Sequence, residues 1–331
     1  MNMKLVSMLS LAAWCISSCS PGSAGSVQQP TATAGAQAPA ATSDAPPAAL
    51  TIPTPGTPDA QALEVVWKLG PFNPADGIGL DPQGNLYAMD SDNHRIEKFD
   101  RDGQFITQWG SVGQGDGQWA CVGICMLAVD AAGNVFITDV NNARIQKFDS
   151  NGKFLAKWGG FGGDDGQFNN PFGIAVDQQG NVYVGDVGNY RVQKFDKNGV
   201  FLAKWGSSGT QEGQFTDDLA DIVADRQGNV YVSDRKIGVQ RFDSDGNFLG
   251  RLAACGDDPA GYQAAGMAID AKGALYVSDI QSSRICKYDA DGKFLTLWNV
   301  PGGIGGIAID QDGNIYGARR YAGAVLKFRP R

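Results

Sequence analysis

Histidine is almost absent from this chain: there is one, His94, in 331 residues. A zinc site built on three histidines is therefore excluded. A nucleophilic triad is excluded as well, because no serine or cysteine in a nucleophile motif accompanies His94. Surplus positive charge is also missing. With 27 Lys and Arg against 35 Asp and Glu, the net charge is −8. Nucleic-acid affinity rests on a basic surface, and so does broad adhesion to anionic lipid, so neither is expected. The apolar run from Leu5 to Ile16 is too short to span a bilayer stably. No segment carries a helical hydrophobic period. Glycine, in contrast, is abundant at 45 residues. It falls in hairpin turns, however, and forms no phosphate-cradling loop.

The N-terminus reads as an export signal, with Lys4 ahead of the apolar run. The run ends in "ISSC", Ile16 to Cys19, which resembles the bacterial lipoprotein lipobox. Cys15 is the poorer candidate because bulky Trp14 precedes it. The resemblance implies cleavage after residue 18 and lipidation of Cys19, which anchors the protein to the membrane. Ser20 follows the cysteine in place of Asp, a pattern similar to that of lipoproteins sent to the outer membrane of cells with two membranes. An ordinary secretory signal is the alternative. Residues 20–61 hold eight Pro, eleven Ala and two charges, Asp44 and Asp59. Such a stretch cannot bury enough apolar surface to offset its ordering entropy, so 19–61 is expected to be a disordered tether. As a coil it reaches about 35–40 Å.

From residue 62 to 331 the chain repeats one unit. An apolar run ends in Asp at 81, 130, 177, 225, 270 and 310, at intervals of 49, 47, 48, 45 and 40 residues. Periods of this size mark propellers, solenoids or arrays. Each unit contains four strand patterns, as in "GIAVD", "NVYVGD", "RVQKFD" and "FLAKWG" between 173 and 206. Four antiparallel strands per unit specify a propeller blade. These residues resemble the NHL repeat, six times over, which implies an all-β, six-bladed β-propeller. Repeat six lacks its fourth strand, and "EVVWKLG" at 64–70 supplies the missing pattern. The N-terminal strand is therefore expected to complete the last blade and remove an exposed edge.

Most chemically suggestive residues have scaffold roles. The six strand-ending Asp residues are placed to cap turns. Asp90, Asp139, Asp186 and Asp279 each precede an Arg by five residues, at 95, 144, 191 and 284. Each pair is expected to staple the loop between second and third strands. Asp234 keeps the acidic position without its Arg. Trp109, Trp158, Trp205 and Trp298 fit inter-blade packing. His94 reads as an exposed loop residue. The lone histidine also counts against resemblance to the amidating lyase, an NHL-repeat enzyme with a histidine-held metal. Strand order pairs Cys121 with Cys125 and Cys255 with Cys286, since cross-pairing would span the ring. Disulfides fit an oxidising compartment.

Function is sought where the repeat breaks its own rule. Arg235 and Lys236 enter the loop of blade four. Arg319, Arg320 and Tyr321 enter that of blade six. At the start of the inner strand four blades have Gly, whereas blade four has Asp221 and blade two Met126; Asp76 lies one residue earlier in blade one. All of these belong to one face, here called the top. The reading placed first is a monomeric binding module of the cell envelope, without a cofactor. Its partner would be a protein, glycan or anionic ligand met by the arginines and Tyr321. The alternative is a metal-dependent lactonase or lyase with a divalent cation in the channel, for which Asp221 and Asp76 are the candidate carboxylates. A plain architectural spacer is the third reading.

Overall fold

The computed structural model describes residues 63–331, except 122–123, 254 and 256–262. The signal segment, Cys19 and the tether to residue 61 lie outside the described residues.

Short alternating runs cut by Asp-containing turns leave the chain little choice but four-stranded antiparallel sheets, and there are six of them. After β1 (Leu63–Leu69), blade one holds β2 (Ala75–Leu80), β3 (Leu86–Asp90), β4 (Arg95–Phe99) and β5 (Phe105–Trp109). Blade two holds β6 (Leu127–Val129), β7 (Val135–Asp139), β8 (Arg144–Phe148) and β9 (Phe154–Gly159). Blade three holds β10 (Pro171–Val176), β11 (Val182–Asp186), β12 (Arg191–Phe195) and β13 (Phe201–Trp205). Blade four holds β14 (Leu219–Ala224), β15 (Val230–Asp234), β16 (Gly238–Phe242) and β17 (Phe248–Arg251). Blade five holds β18 (Ala264–Ile269), β19 (Leu275–Asp279), β20 (Arg284–Tyr288) and β21 (Phe294–Asn299). Blade six holds β22 (Ile307–Ile309), β23 (Ile315–Arg319) and β24 (Ala324–Pro330). The innermost strand of each blade touches the next, and β22 touches β2, so the ring is closed.

β1 is the fourth strand of blade six. Leu69, Lys68, Trp67 and Val65 pair with Val325, Leu326, Lys327 and Phe328. Trp205, Lys204, Ala203 and Phe201 pair with Val192, Gln193, Lys194 and Phe195 in blade three in the same order. Even the register slip falls at the same step. The expected closure thus holds residue for residue.

The core is six clusters, each shared by neighbouring blades. At the seam, Leu69 and Phe72 pack with Tyr316 and Val325 of blade six and with Ile78 and Phe99 of blade one. The outer-strand tryptophans cross the other interfaces. The rings of Trp109, Trp158 and Trp205 lie 6.3, 6.0 and 5.9 Å from Phe148, Phe195 and Phe242 of the following blade. Trp298 departs from this pattern: it stacks on Tyr276 of its own blade and is buried against blade six. Gly199, at φ +85°, shows why the hairpin needs glycine, since a Cβ there would come within 2.5 Å of Trp158.

The strand-ending carboxylates are turn caps. Asp177 accepts from the amides of Gln179 and Asn181, the Asn181 side chain and the Tyr183 hydroxyl, at 2.8–3.0 Å. The Asp–Arg pairs close at 2.7–2.9 Å in all four blades. They reach further than one loop. Asp186 also accepts from the Asn169 amide, and Arg191 donates to the carbonyls of Gly163, Asp164 and Gln167. One staple therefore ties the loop of a blade to the connection arriving from the blade before. The residue ahead of each Arg, as well as Gly323 in blade six, is left-handed, at φ between 50° and 55°. His94 occupies this position in blade one. It is half-buried, not exposed as its loop setting implies, because the left-handed turn tucks it beside Cys121, whose amide donates to Nδ1 at 3.3 Å. Both disulfides form as expected, with Cα separations of 5.7 Å for Cys121–Cys125 and 5.8 Å for Cys255–Cys286.

Candidate functional site

The blades taper toward the axis, and the narrowest crossings set the channel. A Cβ on Gly173 would meet the Asp221 backbone at 2.9 Å, so small residues there let inner strands approach. The channel is walled by apolar side chains and encloses about 240 Å³. Its top opens into a larger cavity of about 440 Å³. Met126, Asp221 and Gly306 border both spaces and form the neck between them.

The upper cavity is walled by Ile124, Met126, Phe172, Ile280 and Ile304, with Asp221 in its floor. Two loops that break the repeat reach it from different blades. Arg235 comes from blade four, and Arg320 and Tyr321 come from blade six. Tyr321 is 97% exposed, and the Arg320 guanidinium sits 5.8 Å from its ring centre. These four sequence candidates are brought to one cavity. The others are not. Lys236 turns outward to Asp217, and Arg319 ends β23 with its guanidinium donating to the Pro301 carbonyl. Asp76 lies in β2, and its side chain is outside the described residues.

The basic residues are less free than their number implies. Arg235 pairs with Asp218 at 2.8 Å, and its own amide donates to the Asp218 carbonyl. Asp218 lines the cavity too and was missed by sequence reasoning. Its only signal was the acidic doublet in "TDD" just before β14. Blade four also shows how a staple is replaced. Its loop is one residue shorter, so Asp234 pairs directly with Gly238 where Asp186 pairs with Arg191. The buried Asp234 carboxylate instead accepts from the amide and hydroxyl of Thr216 at 2.7–2.8 Å.

Asp221 is the unusual group. It is buried, and its oxygens accept from the amides of Ile222 and Met267, both at 2.8 Å. Met267 belongs to blade five, so the side chain bridges two inner strands. Burial disfavours the ionised carboxylate and pushes its pKa up to about 7, with the two amides and Arg235 acting in the opposite sense. Among the described residues no His, Cys, Asp or Glu group of three or more gathers to hold a metal ion.

The fold and this mouth define a six-bladed β-propeller. Residues 168–195, spanning β10 to β12, match the NHL repeat. No curated protein sequence matches the chain. Solved structures do. A streptogramin B lyase is 15% identical with a TM-score of 0.58, covering 81% of this chain and 97% of that one. Virginiamycin B lyase from Staphylococcus aureus is 13% identical, also with a TM-score of 0.58, covering 81% and 100%. A gluconolactonase from Xanthomonas campestris is 16% identical with a TM-score of 0.59, covering 82% and 90%. At such identities the likeness is one of fold. Two disulfides fit a protein exported to an oxidising compartment. No helix among the described residues is long and apolar enough to cross a membrane.

Proposed function

We propose that the protein is a ligand-binding module of the cell envelope, held at the membrane through a lipid on Cys19 and presenting the top of its propeller to a small organic ligand. The observation that carries this reading is the cavity of about 440 Å³, which lies within the usual size of ligand sites. The loops of the two blades that depart from the repeat both reach it. Tyr321 offers a stacking face at the lip, and Asp221 supplies a polar group in the floor. A glycan or protein segment would enter by the same mouth.

A fragment screen by thermal shift on the full chain tests this. Hits are expected to raise the melting temperature of the wild type and to lose most of that shift in Tyr321→Ala. The substitution itself should leave the unliganded melt unchanged, since the side chain is exposed. Hits whose shifts are the same in both proteins would reject the cavity as the site.

The likeness in fold to lyases and a gluconolactonase motivates the metal-dependent alternative. Divalent cations of the calcium type take six to eight oxygen ligands. Among the described cavity residues the carboxylates are Asp221 and Asp218, and Asp218 is already paired with Arg235. Calcium or magnesium titration is accordingly expected to leave the melting temperature flat, and a saturable rise would favour the enzyme.

A further inference from the structure

Among the described residues, the acidic side chains at and beside the cavity have ion-pair partners, with one exception. Asp218 is paired with Arg235 at 2.8 Å, and Asp217 with Lys236. Arg320 lies at the lip over the Tyr321 ring. Asp221 has no ion-pair partner among the described residues. Its two amide donors leave lone pairs unused, because a carboxylate offers about four acceptor sites. The scaffold does not require a carboxylate here: the matching positions are Gly77, Met126, Gly173, Gly266 and Gly306. Blade four has thus placed a buried carboxylate, incompletely compensated, in the floor of a pocket whose walls are mostly apolar.

We propose that the cavity takes an organic cation with an apolar body, an amine whose ammonium group is held by Asp221. This rests on the reading of the cavity as a ligand site and specifies the chemistry of that ligand. An ammonium donor supplies the opposite charge that the floor lacks and uses the remaining lone pairs. The walls of Ile124, Phe172, Ile280 and Ile304 accept the apolar body. Tyr321 covers it from the lip through a contact that a cation or an apolar ring both satisfy. An anionic ligand would be repelled by the ionised floor. A bare metal ion would find one carboxylate outside an ion pair, with Asp218 held by Arg235, where it needs several oxygens.

Binding should also move a proton. Asp221 is raised to about 7 by burial. A bound ammonium group favours the ionised form, so binding near pH 6.5 is coupled to proton release. Among the described residues, the charged groups that line the cavity with Asp221 are Asp218 and Arg235 of blade four and Arg320 of blade six. β18 contributes a backbone amide, and β10 contributes glycine.

The test uses three matched probes on the full-length protein by calorimetry: 4-phenylbutylamine, 4-phenylbutanol and 4-phenylbutanoate. The amine is expected to bind at least tenfold more tightly than the alcohol and to release protons at pH 6.5, read from buffers of different ionisation enthalpy. Asp221→Asn should abolish the preference and the proton release. The wild-type series alone decides the matter if that variant does not fold. Equal binding of amine and alcohol, both weakened by Tyr321→Ala, would overturn the cation proposal and leave the ligand site standing. A preference for the carboxylate would overturn it in favour of Arg320. Failure of all three probes to bind would also overturn it, and the fragment screen would then decide separately on the cavity.

Discussion

Replacing Arg191 by alanine should reveal how much one staple contributes. The side chain is 8% exposed and donates four hydrogen bonds, to Asp186 at 2.8 Å and to the carbonyls of Gly163, Asp164 and Gln167 at 2.9 Å. Removing one partner of a buried ion pair costs about 3–5 kcal/mol. Here the lower end applies, because Asp186 keeps the Asn169 amide, Asn189 and Gln193 as donors. A loss of about 3 kcal/mol, spread over an unfolding entropy of about 0.6 kcal/mol/K for some 270 residues, lowers the melting temperature by about 5 °C. Arg95 is the internal control. It is 31% exposed and bonds to the Asp90 and Glu97 side chains, so Arg95→Ala should cost about 1 kcal/mol and about 2 °C. Differential scanning calorimetry of both variants is the assay. Equal drops, or a drop below about 2 °C for Arg191→Ala, would refute the claim that the carbonyl bonds into the preceding connection carry the effect.

Two further outcomes follow from the same structure. Deleting residues 63–69 removes the fourth strand of blade six and the burial of Leu69 at the seam. With each ladder bond worth about 1 kcal/mol, the melt should fall by about ten degrees or more, and an unchanged melt would contradict the closure. Asp221 gives a signed pH dependence. Its folded pKa of about 7 lies above the unfolded value, so between about pH 4 and 7 the folded state holds a proton that the unfolded chain has released. Stability from this group is full below that window and is lost as pH rises through it, by up to about 4 kcal/mol. The stability of wild type minus that of Asp221→Asn, from denaturant melts at pH 4.5 to 7.5, should fall accordingly, and a flat difference would refute the burial argument.

Part of the candidate site was legible in the sequence as departures from a repeat. Arg235, Arg320 and Tyr321 bring charge and an aromatic ring into loops where the other blades carry the Asp–Arg staple, Asp221 stands where four blades have Gly, and all four line one cavity. Internal repetition works as a reference because equivalent positions in a ring face equivalent neighbours. Asp218 and Thr216 were not visible, because they sit in a connection whose length and wording vary from blade to blade. Lys236 and Arg319 looked like members of the same basic cluster. Their directions depend on partners, Asp217 and the Pro301 carbonyl, that the repeat pattern does not specify.

The sequence by itself determined the number of blades, the strands within each, the seam made by β1 and both disulfides. These follow from local alternation, turn chemistry and the need to leave no open edge. Only the tertiary structure decided that staples bind the connection from the preceding blade, that the arginine of blade four is neutralised, and that the buried carboxylate in the cavity floor has no ion-pair partner among the described residues. These depend on where side chains from different blades converge. Convergence at the axis is set by ring closure, which no single repeat encodes.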